Sequence, residues 1–208
     1  MALLKSLATV SGMTLVSRVL GFARQVLFAG VLGASEGPVA DAFWAAFRLP
    51  NLFRRLFAEG AFQAAFIPMF AGKLSESAAE AKRFAEDVMG CLVFVLLLLT
   101  ALAELATPIF VYGLASGFSD DPERFDLAVV FTRIMFPYLM CMSLLGLMSG
   151  VLNSLNKFFA AAAAPILLNV IWIALALGFA DAGPTAGHVM AWGAAAAGLV
   201  QVAALYIA

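Results

Sequence analysis

The stretch Asp41–Pro68, DAFWAAFRLPNLFRRLFAEGAFQAAFIP, limits what this chain can fold into more than any other. It is apolar enough for a membrane helix, yet it carries Asp41, Arg48, Arg54, Arg55 and Glu59. A charge at the centre of a bilayer costs about 2.5–3.5 kcal/mol on insertion scales, so such groups face a bundle interior or a watery cavity. Asp41, Arg48 and Arg55 recur seven apart, each within roughly 20° of the last at about 100° per residue. Glu59 follows four residues after Arg55. The pattern predicts a charged seam on a greasy helix, with Pro50 removing a backbone donor and bending it where the charges concentrate. Mutual pairing, Arg55 with Glu59 at helical spacing, is the structural alternative. Three arginines against two acids nevertheless leave positive charge over, which favours a cavity wall.

The rest of the chain is consistent with a bilayer. It is 64% hydrophobic and 12% charged over 208 residues, whereas soluble domains carry about 25% charged residues. The net charge of −1 gives no basis for nucleic-acid binding. Cys91 and Cys141 lie in apolar runs, where a free thiol packs as a small hydrophobe. His188, the lone histidine, falls in a short Gly-rich connection and is expected in a surface loop rather than a metal site. No zinc, phosphate-loop or nucleophile-elbow motif offers a foothold for enzyme chemistry, and no cofactor is implied.

Six transmembrane helices are expected, at about 3–33, 38–72, 82–114, 124–153, 157–180 and 185–208, in an all-α polytopic bundle. The first exceeds a signal peptide in length and carries Arg18 and Arg24. Its polar residues Ser11, Thr14, Ser17, Arg18, Gly21, Arg24 and Gln25 share an arc of about 140°, predicted to face inward. Residues 33–38 form a turn, and 73–83 form a polar loop. Glu104, near the end of the third helix, reads equally as a buried functional acid or an interfacial group. The fourth helix holds Arg133, Pro137 and a Gly146-x-x-x-Gly150 spacing that permits close helix approach, and the fifth holds Pro165 and Asn169. Lys5, Lys73, Lys82, Arg83 and Lys157 sit at the N-terminus and even connections, while Arg124 stands alone among the acids of the odd ones. The lysine and arginine excess marks the cytoplasmic side, so the N-terminus is expected inside. Tyr206-Ile207-Ala208 ends a helix with no basic anchor, which predicts a longer parent chain.

The runs LLKSLATVSGMTLVSRVLGFARQVLFAGVLGAS and DAFWAAFRLPNLFRRLFAEGAFQAAFIPMF resemble the opening of the MurJ (MviN) lipid II flippase family. That family lies within the multidrug/oligosaccharidyl-lipid/polysaccharide exporter superfamily. FPY at 136–138, GVLNSLNKF at 150–158 and AAPILLN at 163–169 extend the resemblance over the whole chain. It implies the N-terminal lobe of a fourteen-helix transporter whose two six-helix lobes give alternating access, with the C-terminal lobe missing here. The implied substrate is lipid II, moved from the cytoplasmic to the periplasmic leaflet of the bacterial inner membrane. Implied partners are lipid II, membrane lipids, the missing lobe and the cell-wall synthesis machinery. By the family pattern the cavity positions match Arg18, Arg24, Asp41, Asn51, Arg54, Arg55 and Glu59; the charged seam adds Arg48. One departure is Gln25, where the family often has an acid beside the second arginine of helix 1. Arg24 thus lacks its usual neighbouring counter-charge.

Arginine offers planar, bidentate, permanently charged donors suited to a pyrophosphate, and Asp41 and Glu59 could reclaim them on release. A multidrug exporter of organic cations would want acidic and aromatic cavity residues instead. A non-transporting scaffold subunit would want charges matched one to one. The expected orientation is tested by a cysteine at position 120: a membrane-impermeant thiol reagent should label it in intact cells. Labelling only after permeabilisation would invert the topology.

Overall fold

The computed structural model describes residues 2–33, 38–58, 61–118 and 120–208, with side chains apart from 2–7, 49–50, 53–58, 61 and 184. The described residues are helical almost throughout: α1 (Ala2–Val31), α2 (Pro38–Ala58), α3 (Ala61–Glu76), α4 (Ala78–Leu114), α5 (Pro122–Ser154), α6 (Phe158–Gly178) and α7 (Ala186–Ile207). Short 3₁₀ turns at Ser116–Phe118 and Gly183–Thr185 precede α5 and α7. By length and composition, five helices can cross a membrane: α1 from Ala8, and α4 to α7. The chain is thus an all-helical, multi-pass membrane protein.

The helix expected over 38–72 is described as two, α2 and α3, on either side of residues 59 and 60, which are outside the described residues. Neither qualifies alone as a span: α2 carries Asp41, Arg48, Arg54 and Arg55, and α3 is 16 residues long. Helical backbone continues through Pro50 to Ala58, so the proline does not end α2. The loop expected at 73–83 is a correction. Only Ser77 separates α3 from α4, because its hydroxyl accepts a hydrogen bond from the Glu80 N–H at 3.0 Å and caps the new helix. Helix α4 therefore starts at Ala78 and, at about 1.5 Å per residue, exceeds the roughly 30 Å hydrocarbon layer. Its polar first turns, where Lys82 lies 3.7 Å from Glu86, are the portion chemically suited to water. Similarly α5 begins at Pro122, with Asp121 as N-cap and proline at the position where no N–H is needed.

Helix α5 is the hub. Its most extensive contact is with α2, followed by α7, α4, α3 and α6, while α1 leans chiefly on α6. One buried cluster gathers Phe28, Phe43, Phe131, Met135, Trp172 and Met190 from five helices. A second joins Phe66 and Phe70 of α3 to Leu96 of α4 and Leu147 of α5. The glycine spacing on α5 serves this second contact. A Cβ on Gly150 would lie 3.5 Å from Ile67, and the Gly146 carbonyl accepts from Gln63 Nε2 at 3.0 Å. On α7, a Cβ on Gly198 would fall 2.8 Å from Cys141 Cβ, so only glycine lets α7 lie this close to α5. His188, expected in a loop, is in α7 with its ring edge-on to Phe131 at 5.0 Å.

Three of the buried hydroxyls are satisfied locally, while the Thr100 hydroxyl, also buried, has no partner among the described residues. Thr107, Thr132 and Ser143 donate to carbonyls four residues back at 2.7, 2.7 and 3.0 Å. Thr107 also reaches the Glu104 carbonyl at 3.2 Å. That carbonyl would otherwise lose its helical partner to Pro108, which has no N–H to give.

Candidate functional site

A cavity of about 820 Å³ opens in the bundle, walled by α1, α2, α3, α5, α6 and α7. Polar groups from several wall helices are set in apolar surroundings, and α6 supplies only apolar residues to the lining. From α1 come Arg24 and Gln25, from α2 Arg48 and Asn51, from α3 Gln63 and from α7 Gln201. Trp44 and Phe47 carry the aromatic cluster onto the wall; Phe47 meets the Trp172 ring at 5.4 Å. No carboxylate is among the described lining residues. The site is a concave surface on which arginine and neutral hydrogen-bonding side chains stand beside aromatic rings.

Arg24 is the best-defined charge in it. It is half-buried, donates from NH1 to Asn169 Oδ1 at 2.9 Å, and holds its Cζ 4.8 Å from the centre of the Trp172 ring. The Phe28 ring is farther, at 6.0 Å. Asn169 in turn donates from Nδ2 to the Ser17 backbone carbonyl at 3.0 Å, and Trp172 Nε1 donates to the Met190 carbonyl at 3.1 Å. Amide and indole are thereby fixed from both sides. Gln201, almost fully buried, donates to the Ala164 carbonyl at 2.6 Å.

The predicted site residues separate in space. Arg24, Arg48 and Asn51 share the cavity. Arg18 is exposed and absent from its wall, so the polar arc of α1 divides: Ser17, Gly21 and Arg24 meet α6, while Arg18 points elsewhere. Asp41 is not on the wall either. Its Oδ2 lies 3.0 Å from Arg124 NH1, tying the start of α2 to the start of α5. Arg124 Nε also lies 2.9 Å from Asp121 Oδ2, close but poorly aligned for a hydrogen bond. The lone cation of the acidic connection is thus bound by two carboxylates, and Asp41, one of the expected cavity residues, faces Arg124 in this structure. The backbone of Arg54 and Arg55 belongs to α2, but their side chains, like Glu59 as a whole, are outside the described set.

Asn169, Trp172, Gln63, Tyr138 and Gln201 were not anticipated as site residues. One signal existed for the amides: Asn169 is the single amide in α6 and Gln201 the single amide in α7, and a polar side chain in an apolar span is a candidate interior group.

The comparisons with known proteins agree in direction. The family model described as "Lipid II flippase MurJ" matches residues 28–208. A probable lipid II flippase MurJ of Rhizobium tropici is 52% identical over 100% of this chain and 39% of its own length. The lipid II flippase MurJ of Burkholderia cenocepacia is 43% identical over 97% of this chain and likewise 39% of its own. The chain thus spans about two fifths of the length of the curated relatives it matches. A solved structure, "Lipid II flippase MurJ, inward closed conformation", superposes with a TM-score of 0.73 at 25% identity, over 94% of this chain and 41% of that one.

The Asp41–Arg124 contact makes a distinct forecast. Both side chains are about one-third exposed, and pairs of that kind contribute up to about 1 kcal/mol. Asp41→Asn and Arg124→Gln should each lower thermal stability in detergent by that order. The double variant Asp41→Asn, Arg124→Gln should lose less than the sum of the two single losses in a double-mutant cycle. Fully additive losses in the double variant would show that the two ends are not coupled.

Proposed function

The chain belongs to the lipid II flippase MurJ family, and we propose that it is the N-terminal lobe of a transporter that carries lipid II across the bacterial inner membrane. In this reading the cavity holds the pyrophosphate through Arg24 and Arg48, with Arg54 and Arg55 of the same helix joining in as the headgroup moves. The observation that carries it is the lining itself, which combines two arginines with neutral amides and, among the described residues, no acid. A pyrophosphate cannot cross hydrocarbon unaided, and fixed guanidinium donors in a site shielded from bulk water bind it by charge-assisted, geometrically specific hydrogen bonds. The polyprenyl tail stays in the bilayer while the headgroup passes through the cleft.

Alternating access follows as part of the same proposal: this lobe rocks against a second bundle around the shared site, as in transporters built from two repeats. Helices α2 and α3 together make one crossing, so that six crossings leave both ends cytoplasmic. The placement of Lys73, Lys82, Arg83 and Lys157 supports that orientation. Glu59 is the remaining candidate for reclaiming an arginine on release, since Asp41 already engages Arg124.

The test is lipid II exposure at the periplasmic face of cells depleted of their own flippase, normalised to protein level. Loss of a hydrogen bond to a charged group removes about 1.5–3 kcal/mol, so Arg24→Ala should insert normally yet flip at least roughly tenfold less. Arg24→Lys should recover only part, being a point charge without the guanidinium fork. Arg48→Lys should serve better than Arg24→Lys, because Arg48 is exposed to the cavity rather than clamped. Normal flipping by an abundant Arg24→Ala, Arg48→Ala double variant would remove the clamp.

A further inference from the structure

A guanidinium set among aromatic rings in an apolar bundle normally has a carboxylate beside it, because an uncompensated charge away from water is costly. Arg24 has none among its described contacts. Gln25 follows it, Asn169 meets it from α6, and Trp172 lies under it. The orientation of Asn169 is determined by its second contact. A backbone carbonyl can only accept, so the Ser17 carbonyl takes the amide NH₂ and turns the amide oxygen toward Arg24. Trp172 is equally constrained, since its N–H is held by the Met190 carbonyl and its ring is almost fully buried. A tryptophan face attracts a cation without neutralising it.

We propose that Asn169, together with Trp172, is a positioning group that holds Arg24 by neutral contacts alone, leaving its charge for an anionic headgroup. This rests on the reading of the cavity as a pyrophosphate site and adds the residues that prepare it. An aspartate at 169 would be nearly isosteric and would pair with Arg24 by charge, although it gives up the donation to the Ser17 carbonyl. It would also compete with phosphate for the same donors. Firm holding and anion binding are therefore separable at this position, which a purely structural asparagine would not allow.

The experiment uses the intact chain as cells produce it, purified in detergent, with lipid II as the probe. Four variants are compared for thermal midpoint and equilibrium lipid II affinity: Asn169→Asp, Gly21→Asp, Gly21→Asn and Arg24→Ala. Position 21 faces Asn169, and a Cβ there would lie at ordinary contact distance, 3.7 Å from Nδ2. A carboxylate at 21 stands three residues before Arg24, at ion-pairing spacing on α1. Gly21→Asp should keep the parent's midpoint or raise it, Asn169→Asp should lower it somewhat because the donation to the Ser17 carbonyl is lost, and each should weaken lipid II binding about tenfold or more. Gly21→Asn should bind like the parent, and Arg24→Ala should bind as weakly as the two aspartate variants. Should Asn169→Asp fail to accumulate, Gly21→Asp carries the same decision from the other helix. Parent-like affinity in a stable aspartate variant, with Arg24→Ala weakened, would overturn this inference alone. Parent-like affinity in Arg24→Ala would instead overturn the pyrophosphate reading beneath it.

Discussion

The cost of keeping a permanently charged guanidinium inside an apolar bundle organises this structure. Arg24 stays where it is because a chain of neutral contacts holds it, and that chain runs through the packing of three helices. The Trp172 ring lies under Arg24 because its N–H is captured by the Met190 carbonyl. Helix α7 can come near enough because Gly193 presents no side chain; a Cβ there would lie 3.1 Å from Trp172 Cδ1. Asn169 then pins α1 to α6 through both Ser17 and Arg24. Small residues on α7 therefore act on a cationic group on α1 without touching it.

Charge is managed in two ways in the same chain. At the start of α2 and α5, Arg124 sits between Asp41 and Asp121, partly exposed, where pairing is inexpensive and holds helix ends together. On the cavity wall, Arg24 and Arg48 have no carboxylate beside them among the described lining residues. The first arrangement suits a staple. Under the proposed pyrophosphate reading, the second suits a site whose counter-charge arrives with its ligand, since an internal acid would have to be displaced before an anion could bind.

Much of this was legible in the sequence. The helical membrane class follows from composition and apolar run length; of the charged seam on α2, Arg48 lines the cavity and Asp41 does not, while Asn51 was implied only by the family resemblance. Periodicity also placed Arg24 on the inward arc of α1, though it could not separate it from Arg18, which lies outside the cavity wall. What periodicity cannot carry is pairing at long range. Asn169 stands 145 residues from Arg24, and Arg124 stands 83 from Asp41; each contact depends on how α6 packs on α1 or α5 on α2. The break at Ser77 is different: the polarity of 73–83 reads as a loop, whereas the Ser77 hydroxyl accepts from the Glu80 N–H and starts a new helix within it. His188 was misplaced because glycine suggested a loop, whereas Gly187 is there to admit Phe131 to the face of α7.

The central claim is that the Arg24 guanidinium, held by neutral partners, meets the substrate's pyrophosphate directly. Solid-state magnetic resonance can read that contact as dipolar coupling between ¹⁵N of the guanidinium groups and ³¹P of lipid II bound to the membrane-embedded protein. The account predicts a coupling of hydrogen-bond range that disappears in Arg24→Lys while the other arginine couplings persist. Bound lipid II whose phosphorus couples equally well with and without the Arg24 guanidinium would contradict it.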